Sequence, residues 1–167
     1  MKLDLQPAEK RKLFRNNLRA ILGLGKRKRV DVSTEDGMCK VTSENESIFV
    51  PSPIRWHRYR FGMEKRLRTL ASEYGFDKLG GDVGEGSFVL DIGANVGEFS
   101  MTALRRGAKV FAIDADPIIY RCLDRNLANH EGATSVCSAL WSEEKELTFY
   151  SEPRRADSSF FDPGSEE

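Results

Sequence analysis

SFVLDIGANVGEFSMTALRRGAKVFAIDADP, residues 87–117, holds most of what decides the fold. Residues 87–92 are a nearly continuous apolar run of strand length, the pattern of a strand buried on both faces. Glycines 93 and 97 then break the run. Residues 97–106 read as a short helix with Phe99, Ala103 and Leu104 inward and Gly107 at its end. Residues 109–113 (KVFAI) are a second buried strand. Asp116 and Pro117 supply a helix cap followed by proline at the first helical position. Ile119, Leu123 and Leu127 mark the inner stripe of that helix, where Cys122 also sits. Downstream, residues 134–140 read as a third strand and 145–150 (KELTFY) as a shorter fourth. Strand, helix, strand, helix, strand implies right-handed crossovers and a mostly parallel sheet, an α/β domain.

Where the first strand gives way to the first helix stand Asp91, Gly93, Ala94, Asn95, Gly97 and Glu98. Open α/β sheets bind ligands at such strand-to-helix junctions. Glycine at 93 and 97 lets the backbone turn sharply and a ligand approach without meeting a Cβ. Asp91 can point a carboxylate into the crevice. Asp114, 23 residues further on, ends the second strand and is followed by Ala115. A carboxylate there can accept hydrogen bonds from two ribose hydroxyls, each such charged bond worth roughly 1.5–3 kcal/mol. A nucleoside-containing cofactor follows. A dinucleotide fingerprint would read G-x-G-x-x-G; here Asn95 replaces the middle glycine and Glu98 the last. A carboxylate in the first helical turn opposes a pyrophosphate, whereas S-adenosylmethionine (SAM) carries a sulfonium and an ammonium that suit Asp91 and Glu98. The charge pattern favours SAM over a nicotinamide dinucleotide, which remains the alternative.

The rest of the chain is less informative. Lysine plus arginine equals aspartate plus glutamate at 26 each, so the whole chain offers no electrostatic case for nucleic acid. The first 30 residues are different, with ten basic side chains against Asp4 and Glu9. This stretch reads as a basic helical extension over residues 1–35, its charges solvated. The alternative is a surface for anionic lipid or a partner, because Leu13, Phe14, Leu18, Ile21 and Leu22 can form an apolar stripe. Residues 36–84 read as a hairpin (38–42 and 47–50 about a polar turn at 43–46) and one amphipathic helix over 60–74. That helix has Phe61, Met63, Leu67, Leu70, Ala71 and Tyr74 inward, Lys65, Arg66 and Arg68 toward solvent, and Gly75 as its stop. Pro51 and Pro53 interrupt regular structure between hairpin and helix. Residues 85–167 form the ligand-binding domain. Cys39, Cys122 and Cys137 lack metal-ligand spacing and read as reduced thiols of a cytoplasmic protein, the latter two in the core. Asn126 reads equally as a structural bridge or a functional group, Trp141 as a core aromatic, and His57 and His130 as surface or packing residues.

The run VLDIGANVGEFSMTALRRGAKVFAIDADP, with Leu123, Asn126, Asn129 and then SALWSEEKELTFY, resembles the FkbM-type SAM-dependent methyltransferases. Asp157, Ser158 and Ser159 are similar to that family's Ser-rich stretch, and Gly62 and Arg66 to its preceding helix. The resemblance implies a Rossmann-like class I SAM-methyltransferase fold with an incomplete parallel sheet. The expected sheet is the first three strands plus a short extra strand, behind an N-terminal helical and hairpin extension. By resemblance Asp91, Gly93, Asn95 and Gly97, with Ala94 between them, line the methionine end of SAM. Asp114 with Ala115 holds the ribose, and Ala139 and Leu140 lie near the adenine. The implied reaction is O-methylation of a hydroxyl on a sugar, glycan or secondary metabolite. The family's later acidic string has no counterpart after Phe161, so the expectation is a truncated product, with a split enzyme or a non-catalytic SAM-binding remnant as alternatives. The first strand would then leave an apolar edge for a partner chain or a missing C-terminal half to cover.

Overall fold

A computed structural model describes residues 5–76, 83–146, 148–152 and 158–160. The expectations for Lys2, Asp4, Leu147 and Asp157 lie outside these residues. The chain opens with α1 (Pro7–Ile21), which starts on proline at its first turn and carries Arg19 in its last. Of the apolar stripe of α1 only Leu13 packs against the core, and polar bonds hold the helix beside it. Asn17 donates to the Val30 carbonyl at 2.8 Å and accepts from the Val30 N–H at 2.9 Å. Asn16 donates to the Lys28 carbonyl at 2.9 Å. This asparagine clamp turns Phe14, Leu18, Ile21 and Leu22 to solvent.

The helical extension stops short of residue 35. β1 (Val30–Glu35), β2 (Met38–Ser43) and β3 (Glu46–Val50) form an antiparallel meander. Asp36 and Gly37 both adopt left-handed backbone (φ 50° and 75°) in the two-residue turn between β1 and β2, a pairing that matches strand twist. β3 ends directly before Pro51, as expected, but regular structure resumes at Pro53. Pro53 opens a 3-10 helix, Pro53–Tyr59, that buries Arg55, Trp56 and Tyr59. α2 (Met63–Glu73) follows, shorter than expected, burying Met63, Leu67, Leu70 and Ala71 and leaving Phe61 and Tyr74 exposed.

The second sheet is parallel, in the order β4 (Phe88–Ile92), β5 (Lys109–Asp114), β6 (Ala133–Cys137), joined through α3 (Glu98–Leu104) and α4 (Pro117–Leu127). Both crossovers step the same way, and right-handed crossovers stepping the same way set their helices on one face. Val110 and Ala112 are buried beneath them. The opposite face is bare at β4, where Phe88, Leu90 and Ile92 are 69%, 53% and 58% exposed. The expectation of a strand buried on both faces therefore fails for a topological reason.

Asn126 of α4 joins the two sheets. Its side chain accepts from the Phe49 N–H at 2.7 Å and donates to the Phe49 carbonyl (2.9 Å) and the Val96 carbonyl (2.8 Å), so its role is structural. Among the described residues no strand forms over 145–150. An isolated antiparallel bridge between Tyr150 and Ser159 stands in its place. The third strand ends at Cys137 rather than at 140, which leaves Cys137 exposed. Trp141 is half exposed, edge-on to Phe160 at 5.7 Å and beneath Lys145. No helix among the described residues is long and apolar enough to cross a membrane.

Candidate functional site

The turn after β4 places three residues in left-handed backbone: Gly93 (φ 74°), Asn95 (φ 52°) and Gly97 (φ 85°). Asparagine is among the few residues with a side chain that adopt this conformation readily. Asn95 thus meets the same backbone demand as the glycines and adds an amide. Its Oδ1 accepts from Arg55 Nη1 at 2.7 Å and from the Val96 N–H at 2.9 Å. The N–H groups of Gly93 and Ala94 both donate to the Ile113 carbonyl at 2.9 Å, pinning the turn to the end of β5. Asp114 closes the link, accepting from the Asn95 N–H at 2.8 Å and the Asp116 N–H at 3.0 Å. Each oxygen keeps acceptor capacity after these bonds.

Two cavities flank this turn. The first, about 380 Å³, is bounded by Asp91, Gly93, Ala94, Asn95, Arg58 and Arg66, with Tyr74 and Phe99 at its side. Asp91 is buried, its Oδ2 accepting from Ser100 Oγ at 2.5 Å. Burial pushes its pKa up, against the lowering effect of the Ser100 bonds. Among the described residues no cation pairs with it. Glu98 differs. Arg66 Nε and Nη2 each donate to it at 2.9 Å, and Arg58 lies 3.6 Å away. Such a fork takes up carboxylate charge in a fixed geometry. Arg66 is therefore not a solvent-facing residue of α2, and Glu98 presents little net charge to a ligand. Fully buried Tyr59 sits against the same carboxylate, and burial with the Glu98 charge holds its phenol well above the ordinary range.

The second cavity, about 330 Å³, is bounded by Gly93, Asn95, Asp114, Ala115 and Ile119, with Phe149, Ser158 and Phe160 opposite. Burial raises the Asp114 pKa, opposed by the N–H bonds from Asp116 and Asn95. Asp116 builds the far wall. It caps α4 by accepting from the Ile118 N–H at 2.8 Å, and its other oxygen accepts from Ser151 Oγ and Ser158 Oγ, both at 2.6 Å. Burial alone would raise the Asp116 pKa, but the two serine hydroxyls and the helix N–H groups outweigh it and hold the carboxyl below its usual range. The serines bring Phe149 and Phe160 edge-to-face at 5.1 Å over the cavity.

The expected residues therefore divide. Asp91, Gly93, Ala94 and Asn95 meet at the first cavity, and Gly93, Asn95, Asp114 and Ala115 at the second. Gly97 lines neither. A Cβ there would stand 2.9 Å from Leu123 Cδ1, so its glycine serves the packing of α3 on α4. Ala139 and Leu140 are exposed and line neither cavity, because β6 ends before them. Sequence reasoning missed Arg58, Phe149 and Phe160. No periodicity marks them; a signal was present only in the aromatic pair flanking the serines at 151 and 158.

The fold is that of a parallel α/β domain, with its two cavities at the carboxyl ends of the strands, where such sheets bind ligands. A comparison with protein-family models gives no match, and no curated protein matches the chain. Among solved structures the chain is similar to the T. thermophilus 16S rRNA N2 G1207 methyltransferase (RsmC) in complex with AdoMet and guanosine. That similarity has a TM-score of 0.37 and 22% identity, covering 69% of this chain and 29% of that one. It is also similar to P. horikoshii TYW2 in complex with MeSAdo, with a TM-score of 0.34, 21% identity, and coverage of 81% and 51%. Both matches span less than two thirds of those chains.

Proposed function

We propose that this chain is the cofactor-binding portion of a SAM-dependent methyltransferase of FkbM type, acting on a hydroxyl of a sugar, glycan or secondary metabolite. The observation that carries the reading is the pair of cavities sharing the 93–95 turn. One offers a carboxylate without a cation partner together with Arg58, which Glu98 engages only loosely at 3.6 Å, the complement of an α-amino acid. The other offers Asp114 and an aromatic wall, the complement of a nucleoside. A nucleoside joined to an amino acid is what SAM is. The residues fit: Asp91 would take the ammonium, Arg58 the carboxylate, Asp114 the ribose hydroxyls, and Phe149 and Phe160 the adenine.

The case against a dinucleotide changes in form. Glu98 no longer opposes a diphosphate, since Arg66 and Arg58 take up its charge. Asp91 does so instead, because a phosphate at the turn would face a buried carboxylate that no arginine neutralises. When bound, SAM supplies an electrophilic methyl group to an oxygen nucleophile, and the rate depends on holding the two in line. The finer part of the reading, FkbM type and an oxygen acceptor, is supported by the resemblance of residues 87–129. On this reading the open edge of β4 is where further strands of the catalytic sheet pair, and methyl transfer belongs to the completed sheet.

Titration calorimetry on the purified chain tests this reading with SAM, S-adenosylhomocysteine and NADH. SAM and its homocysteine product should bind and NADH should not. Asp114→Ala should weaken SAM by about 1–3 kcal/mol, the worth of the charged hydrogen bonds lost. Absence of SAM binding at millimolar cofactor, or tighter binding of NADH, defeats the proposal.

A further inference from the structure

A third cavity, about 380 Å³, lies between α1 and the 3-10 helix, on the far side of that helix from the cofactor crevice. Lys12, Arg15, Arg19, Arg27 and Arg60 line it, and no carboxylate does. Two of these cations are fixed in place. Arg27 donates to Asn16 Oδ1 at 3.0 Å and Arg60 to the His57 carbonyl at 2.8 Å. Both guanidinium groups also lie over the Phe61 ring, at 5.6 and 4.8 Å. Lys12 is paired with Glu9 at 2.7 Å. Arg15 and Arg19 have no acidic partner among the described residues. On the wall stands Trp56, 3% exposed, whose Nε1–H has no hydrogen-bond acceptor among the described residues. Five cations and no carboxylate on the lining ring the cavity with positive charge. The complementary ligand is an anion.

Beside the cavity runs the outward ridge of α1. Phe14, Leu18 and Ile21 recur at helical spacing, with Leu22 next to them, and Phe14 and Ile21 are 67% and 71% exposed. Arg15 and Arg19 follow Phe14 and Leu18 directly, so the ridge carries cations along its flank. An apolar ridge open to water marks an interaction surface. Its partner must offer both an apolar phase and phosphate anions. RNA offers the second alone, and an acidic protein surface offers no matching apolar layer.

We propose that α1 and this cavity form a docking surface for anionic membranes. Phe14, Leu18, Ile21 and Leu22 enter the acyl boundary, and the five cations receive a lipid headgroup phosphate. This assignment does not depend on what the crevice binds.

Vesicle co-sedimentation of the full chain tests it, with phosphatidylcholine alone and with phosphatidylcholine and phosphatidylserine in equal parts. The chain should sediment with the mixed vesicles and not with the neutral ones, and salt should release it. Arg15→Gln with Arg19→Gln should lower the partition roughly 10- to 30-fold, as expected for two basic residues at an anionic surface. Phe14→Ser with Ile21→Ser should lower it as well. All four side chains are solvent-facing, and unchanged far-ultraviolet circular dichroism confirms that the variants fold. No binding to mixed vesicles overturns the proposal. So does binding that survives Phe14→Ser with Ile21→Ser. Tighter binding of polyuridylic acid than of mixed vesicles overturns it too, by assigning the surface to RNA.

Discussion

Gly93 and Gly97 look alike in the sequence and differ in the structure. Both are left-handed, so alanine at either strains the backbone by roughly 1–3 kcal/mol. At Gly97 the added methyl also meets Leu123 at 2.9 Å, whereas at Gly93 nothing lies within 4 Å and the methyl enters the crevice. Gly97→Ala should therefore lower the urea midpoint more than Gly93→Ala. Gly93→Ala should weaken SAM more than Gly97→Ala. Denaturation and calorimetry on both variants read the contrast, and matching effects at the two sites would show that they share one role. Asp91 carries a pH dependence. Burial raises its pKa above the ordinary aspartate value, and only the ionised form attracts an ammonium. SAM affinity should fall as pH drops through that raised pKa, at higher pH than an ordinary aspartate would dictate. Asp91→Asn should bind weakly and flatten the profile. A profile unchanged in Asp91→Asn would remove this carboxylate from the ligand.

At the scale of elements, Asn126 is the test of how the meander is held to the parallel sheet. Removing its amide leaves the Phe49 N–H and the Phe49 and Val96 carbonyls short of a partner. The three bonds are part-buried and each group left unpaired costs about 1–3 kcal/mol, so Asn126→Ala should destabilise the chain by about 3 kcal/mol or more in urea unfolding. Asn126→Asp, which can still accept from Phe49 but not donate, should fall between. A loss under about 0.5 kcal/mol would place the coupling elsewhere. What was legible in the sequence follows the same division between local and distant. The stretch from 87 to 127 is governed by local chemistry, and its strands, turn and proline-led helix stand within a few residues of expectation. The cap at Asp116 was readable because it acts on residues two and three positions ahead; its hold on Ser151 and Ser158 was not, since 35 and 42 residues intervene. Arg66 and Glu98, 32 apart, were each assigned to solvent or to ligand when their partner is the other. The first hairpin is a different kind of miss. Asp36 and Gly37 announce a tight turn with alternating residues on either side, but the basic run before them carried the helical reading to residue 35.

Seen whole, the described residues stack an antiparallel meander, a helical layer and a parallel sheet, and the outer face of that sheet is open at β4. Phe88, Leu90 and Ile92 project from that face on β4, which is also an edge strand of the described sheet. An apolar face beside an unpaired edge invites association. Within a single copy of the chain these side chains contribute little to stability, because burial is what makes a side chain worth about 25 cal/mol per Å² and they are more than half exposed. Replacing all three with threonine keeps strand propensity while removing apolar surface. The triple variant should unfold within about 1 kcal/mol of the parent, whereas Leu123→Ala, at a fully buried position of α4, should cost about 2–5 kcal/mol. Sedimentation velocity should show fewer large species in the variant at the same concentration, and binding of an apolar dye should fall with them. If the triple variant instead loses as much stability as Leu123→Ala, the face is covered in solution and the sheet has a second layer. If stability and association are both unchanged, the apolar face is not what draws copies together, and the unpaired edge of β4 is the feature to block next.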